Sequence, residues 1–117
     1  MKTKKIIKNK IISTSILIKK NYINNFVKKV SIKNEKIFCI VDSKIKIILN
    51  LKINKNIKII YINCGEKIKT VEGYKYLSEK LIKNNINRKS AIVAIGGGTL
   101  GDLVGFVAST VLRGLNF

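Results

Sequence analysis

Three consecutive glycines, Gly96, Gly97 and Gly98, stand between an apolar run over residues 91–95 and a helical pattern that starts at Thr99. That order of residue types predicts a buried strand running through a turn into a helix N-terminus, a place suited to holding phosphate. The first N–H groups of a helix have no partner within it, and the helix dipole adds partial positive charge there. Glycine lets the main chain approach an anion closely and adopt positive φ without a Cβ clash. Asp102 falls in the same first turn, where a carboxylate accepts hydrogen bonds from ribose hydroxyls. The positions of Gly96, Gly98 and Gly101 fit a dinucleotide-binding turn. The plainer alternative is a turn that only joins strand to helix. In the usual form of the dinucleotide turn a ribose-binding acid follows about 20 residues later, whereas here no acid follows Asp102.

The acids are few, and their positions are informative. They are Glu35, Asp42, Glu66, Glu72, Glu79 and Asp102, against 24 basic residues and a formal charge of +18. Asp42, Glu66 and Asp102 each follow an apolar run that reads as a strand, and in open α/β sheets ligands bind beyond the carboxyl ends of the strands. Glu35, Glu72 and Glu79 fit solvated positions, with Glu72 also suited to a helix N-terminus. The positive charge attracts anionic ligands and favours nonspecific RNA binding at low salt. A dedicated nucleic-acid function is not indicated: the lysines spread along the whole chain, and only four Tyr and four Phe are present for base stacking. Lys, Ile and Asn together form about half of the chain, and all three share A/T-rich codons, so a biased nucleotide composition accounts for them. Cys39 and Cys64 are too far apart in sequence and setting for a zinc site and read as buried thiols in a reducing cytosol.

The elements that must position these groups alternate in type. Residues 5–18 hold two apolar stretches broken by Lys8, Asn9 and Lys10, an antiparallel pair; they are too interrupted by charge for a signal-peptide core and too short to span a membrane. Tyr22, Ile23, Phe26, Val27 and Val30 recur at helical spacing. A strand over residues 36–41 follows, then a helix capped by Ser43 and running to Leu51 with Ile45, Ile48 and Leu49 inward. Residues 58–62 form another strand. Thr70 is the N-cap of a helix whose buried stripe is Val71, Tyr74, Leu77, Ser78 and Leu81, ending near Asn84 and Asn85. After the final strand and helix, residues 115–117 read as the start of one more strand. Alternating strands and helices predict an α/β fold with a Rossmann-like, doubly wound, mostly parallel sheet. With no repeat and no linker, residues 1–117 make one domain or most of one.

The string from Gly96 to Gly114, GGGTLGDLVGFVASTVLRG, closely resembles 3-dehydroquinate synthase, a sugar-phosphate cyclase family of the shikimate pathway. Its signature is a GGG-x-x-GD-x-x-GF-x-A block followed by Arg-Gly. A second block, Cys64-Gly65-Glu66-Lys67-Ile68-Lys69-Thr70, is similar to the family's D-G-E-x-x-K-[ST] segment, with Cys64 where Asp is usual. A third match is Val41-Asp42-Ser43-Lys44, with Lys44 where the family favours Asn.

The resemblance implies NAD as cofactor. The glycine turn, Gly97, Gly98, Thr99, Leu100 and Gly101, would hold the pyrophosphate, and Asp42, Glu66, Lys69 and Asp102 the ribose or nicotinamide groups. Arg113 matches an arginine that contacts substrate phosphate across a homodimer interface; its alternative reading is a cation at a helix C-terminus. In the family a helical domain with one Glu and two His holds zinc or cobalt. This sequence has no His, so the expectation is the cofactor part of a synthase, cut before its helical metal-binding domain and inactive alone. The implied reaction turns a phosphorylated sugar acid, 3-deoxy-D-arabino-heptulosonate 7-phosphate, into 3-dehydroquinate and phosphate in the cytoplasm. A related sugar-phosphate cyclase, a polyol dehydrogenase such as glycerol dehydrogenase, and an inactive basic remnant are the alternatives.

Overall fold

The computed structural model describes residues 3–8, 13–46, 50–65, 68–115 and 117, with residues 3–8, 13–15 and Arg113 described by backbone alone. Strands β1 (Thr3–Lys8) and β2 (Ser13–Ile18) pair antiparallel with Thr3 opposite Ile18. Helix α1 (Ile23–Lys33) leads into strand β3 (Lys36–Asp42), followed by β4 (Ile57–Ile62), helix α2 (Val71–Lys83), strand β5 (Ser90–Ile95) and helix α3 (Gly98–Thr110). The three later strands form one parallel sheet in the order β4-β3-β5.

β3 lies at the centre and is apolar along nearly its whole length, as a strand covered on both faces must be. Its residues alternate between two cores. Phe38 and Ile40 pack with Ile60, Ile92, Leu77, Leu81, Leu100, Val104 and Val107, under α2 and α3. Ile37, Cys39 and Val41 pack with Val27, Ala91 and Val93, under α1. The β3–β4 connection contributes Ile45 and Leu51 to the α1 side, whereas α2 connects β4 to β5 on the other. The sheet is doubly covered, as its residue pattern predicts.

Local signals hold where they are self-contained. The Thr70 hydroxyl accepts from the Gly73 N–H at 3.3 Å and opens α2, which ends at Asn84. Four expectations change. The described residues among 43–51 show no α-helix capped by Ser43: they hold a 3-10 turn, Ser43–Ile45, and its cap is the Asp42 carboxylate, accepting from the Lys44 N–H at 2.9 Å. Asp42 thus offers the backbone a local alternative to helix, and residues 50–54 are irregular. Ile48 and Leu49 lie outside the described residues. Val71 is 78% exposed rather than buried. Leu115 does not begin a strand; with no strand beside it among the described residues, its N–H bonds back to Ala108 O at 2.7 Å. Cys39 is buried but Cys64 is only half-buried. Among the described residues no helix is long and apolar enough to cross a membrane.

Candidate functional site

The connection leaving β3 runs over one face of the sheet and the connection leaving β4 over the other, so the switch in direction falls between β3 and β5. Crevices for ligands open at such points, beyond the carboxyl ends of the strands. Asp42 ends β3 and Gly96 follows β5. They are neighbours in space: a Cβ built on Gly96 would lie 3.2 Å from Asp42 Cβ and 2.8 Å from Leu100 Cδ2. Gly96 is therefore glycine because the chain itself is crowded there.

Gly97, Gly98 and Gly101 differ from it. A Cβ on any of them would meet nothing within 4 Å. Nor does backbone strain require them, since Gly114 is the only glycine of positive φ among the described residues. The expectation of positive φ in this turn is corrected: Gly97 has φ −86° and ψ −175°, extended backbone that any residue adopts. These glycines leave open the space in front of the helix. Gly97 is the N-cap of α3 and supplies no side-chain cap, so the N–H groups of Gly98, Thr99 and Leu100 head the helix uncapped. Gly101 N–H already closes the first turn onto Gly97 O at 3.1 Å. The Leu100 side chain is wholly buried, so Leu100 reaches a ligand only through its main chain. Open cradle, donor row and helix dipole together suit a phosphate or pyrophosphate group, and NAD fits this turn.

Asp102 projects from the first full turn of α3 and pairs with Lys69 at 2.8 Å, both side chains being substantially exposed. The pair ties the loop before α2 to the head of α3. Beside it lies a largely apolar groove of about 480 Å³ lined by Lys69, Val71, Tyr74, Leu103 and Phe106 among others. Tyr74 and Phe106 meet edge to face at 5.3 Å between centroids. Sequence reasoning assigned Tyr74 to the core and passed over Phe106; the signal available was the spacing of Phe106, four residues after Asp102 and so on the same helix face.

Cys64 follows β4, two residues past Ile62, the register partner of Asp42. Its Sγ donates to Ile62 O at 3.6 Å. Burial raises its pKa, and the negative field and hydrogen bond of Asp42 raise it further, against an opposing pull from Lys44. The thiol is therefore neutral at pH 7. Burial alone pushes Cys39 up to about 11. Glu66 lies outside the described residues. Arg113 closes a 3-10 turn, Val111–Arg113, and its side chain is likewise outside the description. The following Gly114 has φ +104°, a conformation that favours glycine, and Arg88 Nη1 steadies the corner by donating to Leu112 O at 3.0 Å. Asp42, Cys64, Gly96 and the head of α3 thus share one end of the sheet, with Lys69 and Asp102 bonded to each other along the same helix head. No cluster of three metal-ligating side chains occurs among the described residues.

In class this is an open α/β unit with its parallel sheet covered on both faces. It matches 2-deoxy-scyllo-inosose synthase, solved with carbaglucose-6-phosphate, NAD+ and Co2+, at a TM-score of 0.78 and 23% identity over 97% of this chain and 33% of that one. The family model described as 3-dehydroquinate synthase N-terminal matches residues 59–117, and the chain belongs to that family. It is 42% identical to the 3-dehydroquinate synthase of Clostridium tetani over 86 residues, 74% of this chain and 22% of that protein. To the enzyme of Macrococcus caseolyticus it is 36% identical over 102 residues, 86% of this chain and 28% of that one. The chain therefore spans about a quarter of the length of these curated relatives.

Proposed function

We propose that this chain is the NAD-holding part of a 3-dehydroquinate synthase, acting in the cytoplasm on 3-deoxy-D-arabino-heptulosonate 7-phosphate to give 3-dehydroquinate and phosphate. The observation that carries the reading is the glycine turn at the switch point. Three glycines there leave Cβ space open in front of uncapped N–H groups, with no reason for glycine in the chain's own packing or φ.

The main-chain N–H groups of Gly98, Thr99 and Leu100 bind the pyrophosphate oxygens, with Gly97 and Gly101 leaving room for them. Asp42 and Glu66 accept hydrogen bonds from ribose hydroxyls, and Lys69 and Asp102 position ribose or nicotinamide groups. Arg113 binds the substrate phosphate across a homodimer interface, a task suited to its planar fork of donors. When bound, NAD supplies the transient oxidation of a ring hydroxyl that acidifies the neighbouring C–H for phosphate loss, and reverses it afterwards. The zinc or cobalt of such a reaction would be held by residues other than these, because the sequence contains no histidine.

Titration calorimetry of the chain with NAD+ tests the reading. Saturable binding that Gly98→Val abolishes is expected, and absence of binding refutes it. Phosphate release by this chain alone, above a no-protein control, would refute the placement of the metal elsewhere.

A further inference from the structure

Strand β4 ends the parallel sheet: it pairs with β3 and with no other strand among the described residues. Ile37 N–H donates to Asn56 O at 2.9 Å, and along a parallel ladder the residues that bond inward alternate. Lys58 and Ile60 therefore turn their main chain toward β3, while Ile59 and Tyr61 turn theirs to the open edge. A row of unpaired N–H and C=O groups is a template for a further strand.

A groove of about 590 Å³ runs between this edge and α2. Tyr76, Glu79, Lys80 and Lys83 recur at helical spacing along its helix wall. Lys58 joins them from the strand, on the face of β4 that it shares with Ile60. Lys58, Lys80 and Lys83 are all exposed. Glu79 is the one acid of the groove, and it lies 4.0 Å from Lys75. From β3, Lys36 reaches the end of the groove, its ammonium donating to Asn84 O at 3.1 Å.

The charge decides what such an edge accepts. Lysines on an edge strand keep like chains apart, and a second copy of a chain with charge +18 is repelled. An acidic segment is attracted instead. The free main chain of Ile59 and Tyr61 offers donors and acceptors in alternation, which a peptide backbone matches and a polynucleotide does not. Lysines also stand over the two rings, Lys46 Nζ 4.7 Å from the Tyr61 centroid and Lys80 Nζ 5.6 Å from that of Tyr76, where bases would otherwise stack.

We propose that the β4 edge and α2 form a docking groove for an extended acidic segment of a partner protein, which adds to the sheet as a further strand. Its carboxylates, on alternate residues, face Lys58, Lys80 and Lys83, and the side chains between them lie against Ile59 and Tyr61 on the other face. The proposal does not depend on the dinucleotide reading of the glycine turn.

Fluorescence anisotropy of the full chain at about 0.15 M salt tests this. The probe is a labelled peptide of alternating Glu and Val, matched to the 6 residues of β4. Saturable binding is expected, and Lys80→Glu combined with Lys83→Glu should weaken it by about tenfold or more. Lys28→Glu combined with Lys29→Glu makes the same charge change on exposed α1, across the sheet, and should weaken it by less than about threefold. The fully N-methylated peptide keeps every carboxylate but has no N–H to pair with the edge, and it should not bind. Absence of saturable binding overturns the proposal, as does N-methylated peptide binding equally well or an equal loss in the α1 variant. A single-stranded oligouridylate that binds more tightly than the peptide, and is lost in the Lys80→Glu, Lys83→Glu variant, would make the groove a nucleic-acid site and overturn it too.

Discussion

Gly98→Ala should separate binding from folding. Gly98 is the first residue of α3, lies outside the left-handed region, and has open space where a Cβ would stand. Alanine there meets no steric cost. It restricts the unfolded chain, worth about 0.4–1 kcal/mol, and has the higher helix propensity. The folded state should gain about 0.5–1 kcal/mol, read as a higher urea midpoint at unchanged slope. The same methyl group would stand where a pyrophosphate must approach the N–H row. Losing one hydrogen bond to a charged oxygen costs about 1.5–3 kcal/mol, roughly a tenfold to hundredfold weaker affinity for NAD+. Urea denaturation and calorimetry on one preparation measure both effects. Unchanged affinity for NAD+ would refute the reasoning, because the openness of Gly98 would then serve no ligand. A fall in stability would show instead that the chain's own packing requires this glycine.

Gly96→Ala should do the reverse: its Cβ would crowd Leu100 Cδ2 at 2.8 Å and Asp42 Cβ at 3.2 Å, so denaturation should show a loss of about 1–3 kcal/mol, the usual cost of overpacking. Asp102→Ala removes an exposed ion pair with Lys69 and should change stability by less than about 1 kcal/mol, while calorimetry finds NAD+ bound about 1–3 kcal/mol more weakly. Stability should also respond to alkali through Cys39. Its folded pKa is about 11 against an ordinary 9.0, so the contribution is whole below pH 9. Between these values the unfolded chain gives up a proton that the folded chain keeps, and about 2–3 kcal/mol is lost as pH rises through the window. Denaturation of the parent and of Cys39→Ala across pH 8–11 isolates that slope from lysine titration; parallel curves would refute it.

Much of the fold is legible in sequence because its signals are local. Thr70 marks the start of α2 through its own hydroxyl, which reaches an N–H three residues on. The glycine turn after an apolar strand marks the head of α3 to within one residue. The cap after β3 was misplaced by one residue: the sequence reading gave it to Ser43, and the Asp42 carboxylate takes the turn instead. The exposure of Val71 and Phe106 was not legible, since periodicity gives the spacing of a helix face but not which of its positions another element covers.

The sequence by itself determined most of the strands and helices, though not the turn after β3 or the path of Leu115, together with the glycine turn, the scarcity of acids and the family resemblance, because each is a property of neighbouring residues. Tertiary structure decided what meets what. Only the order β4-β3-β5 brings Asp42 beside Gly96 and, by register with Ile62, beside Cys64. Only the packing of α2 and α3 on one face joins Lys69 to Asp102. Strand order is fixed by which apolar faces cover one another, a sum over residues distant in the chain, and no local spacing encodes it.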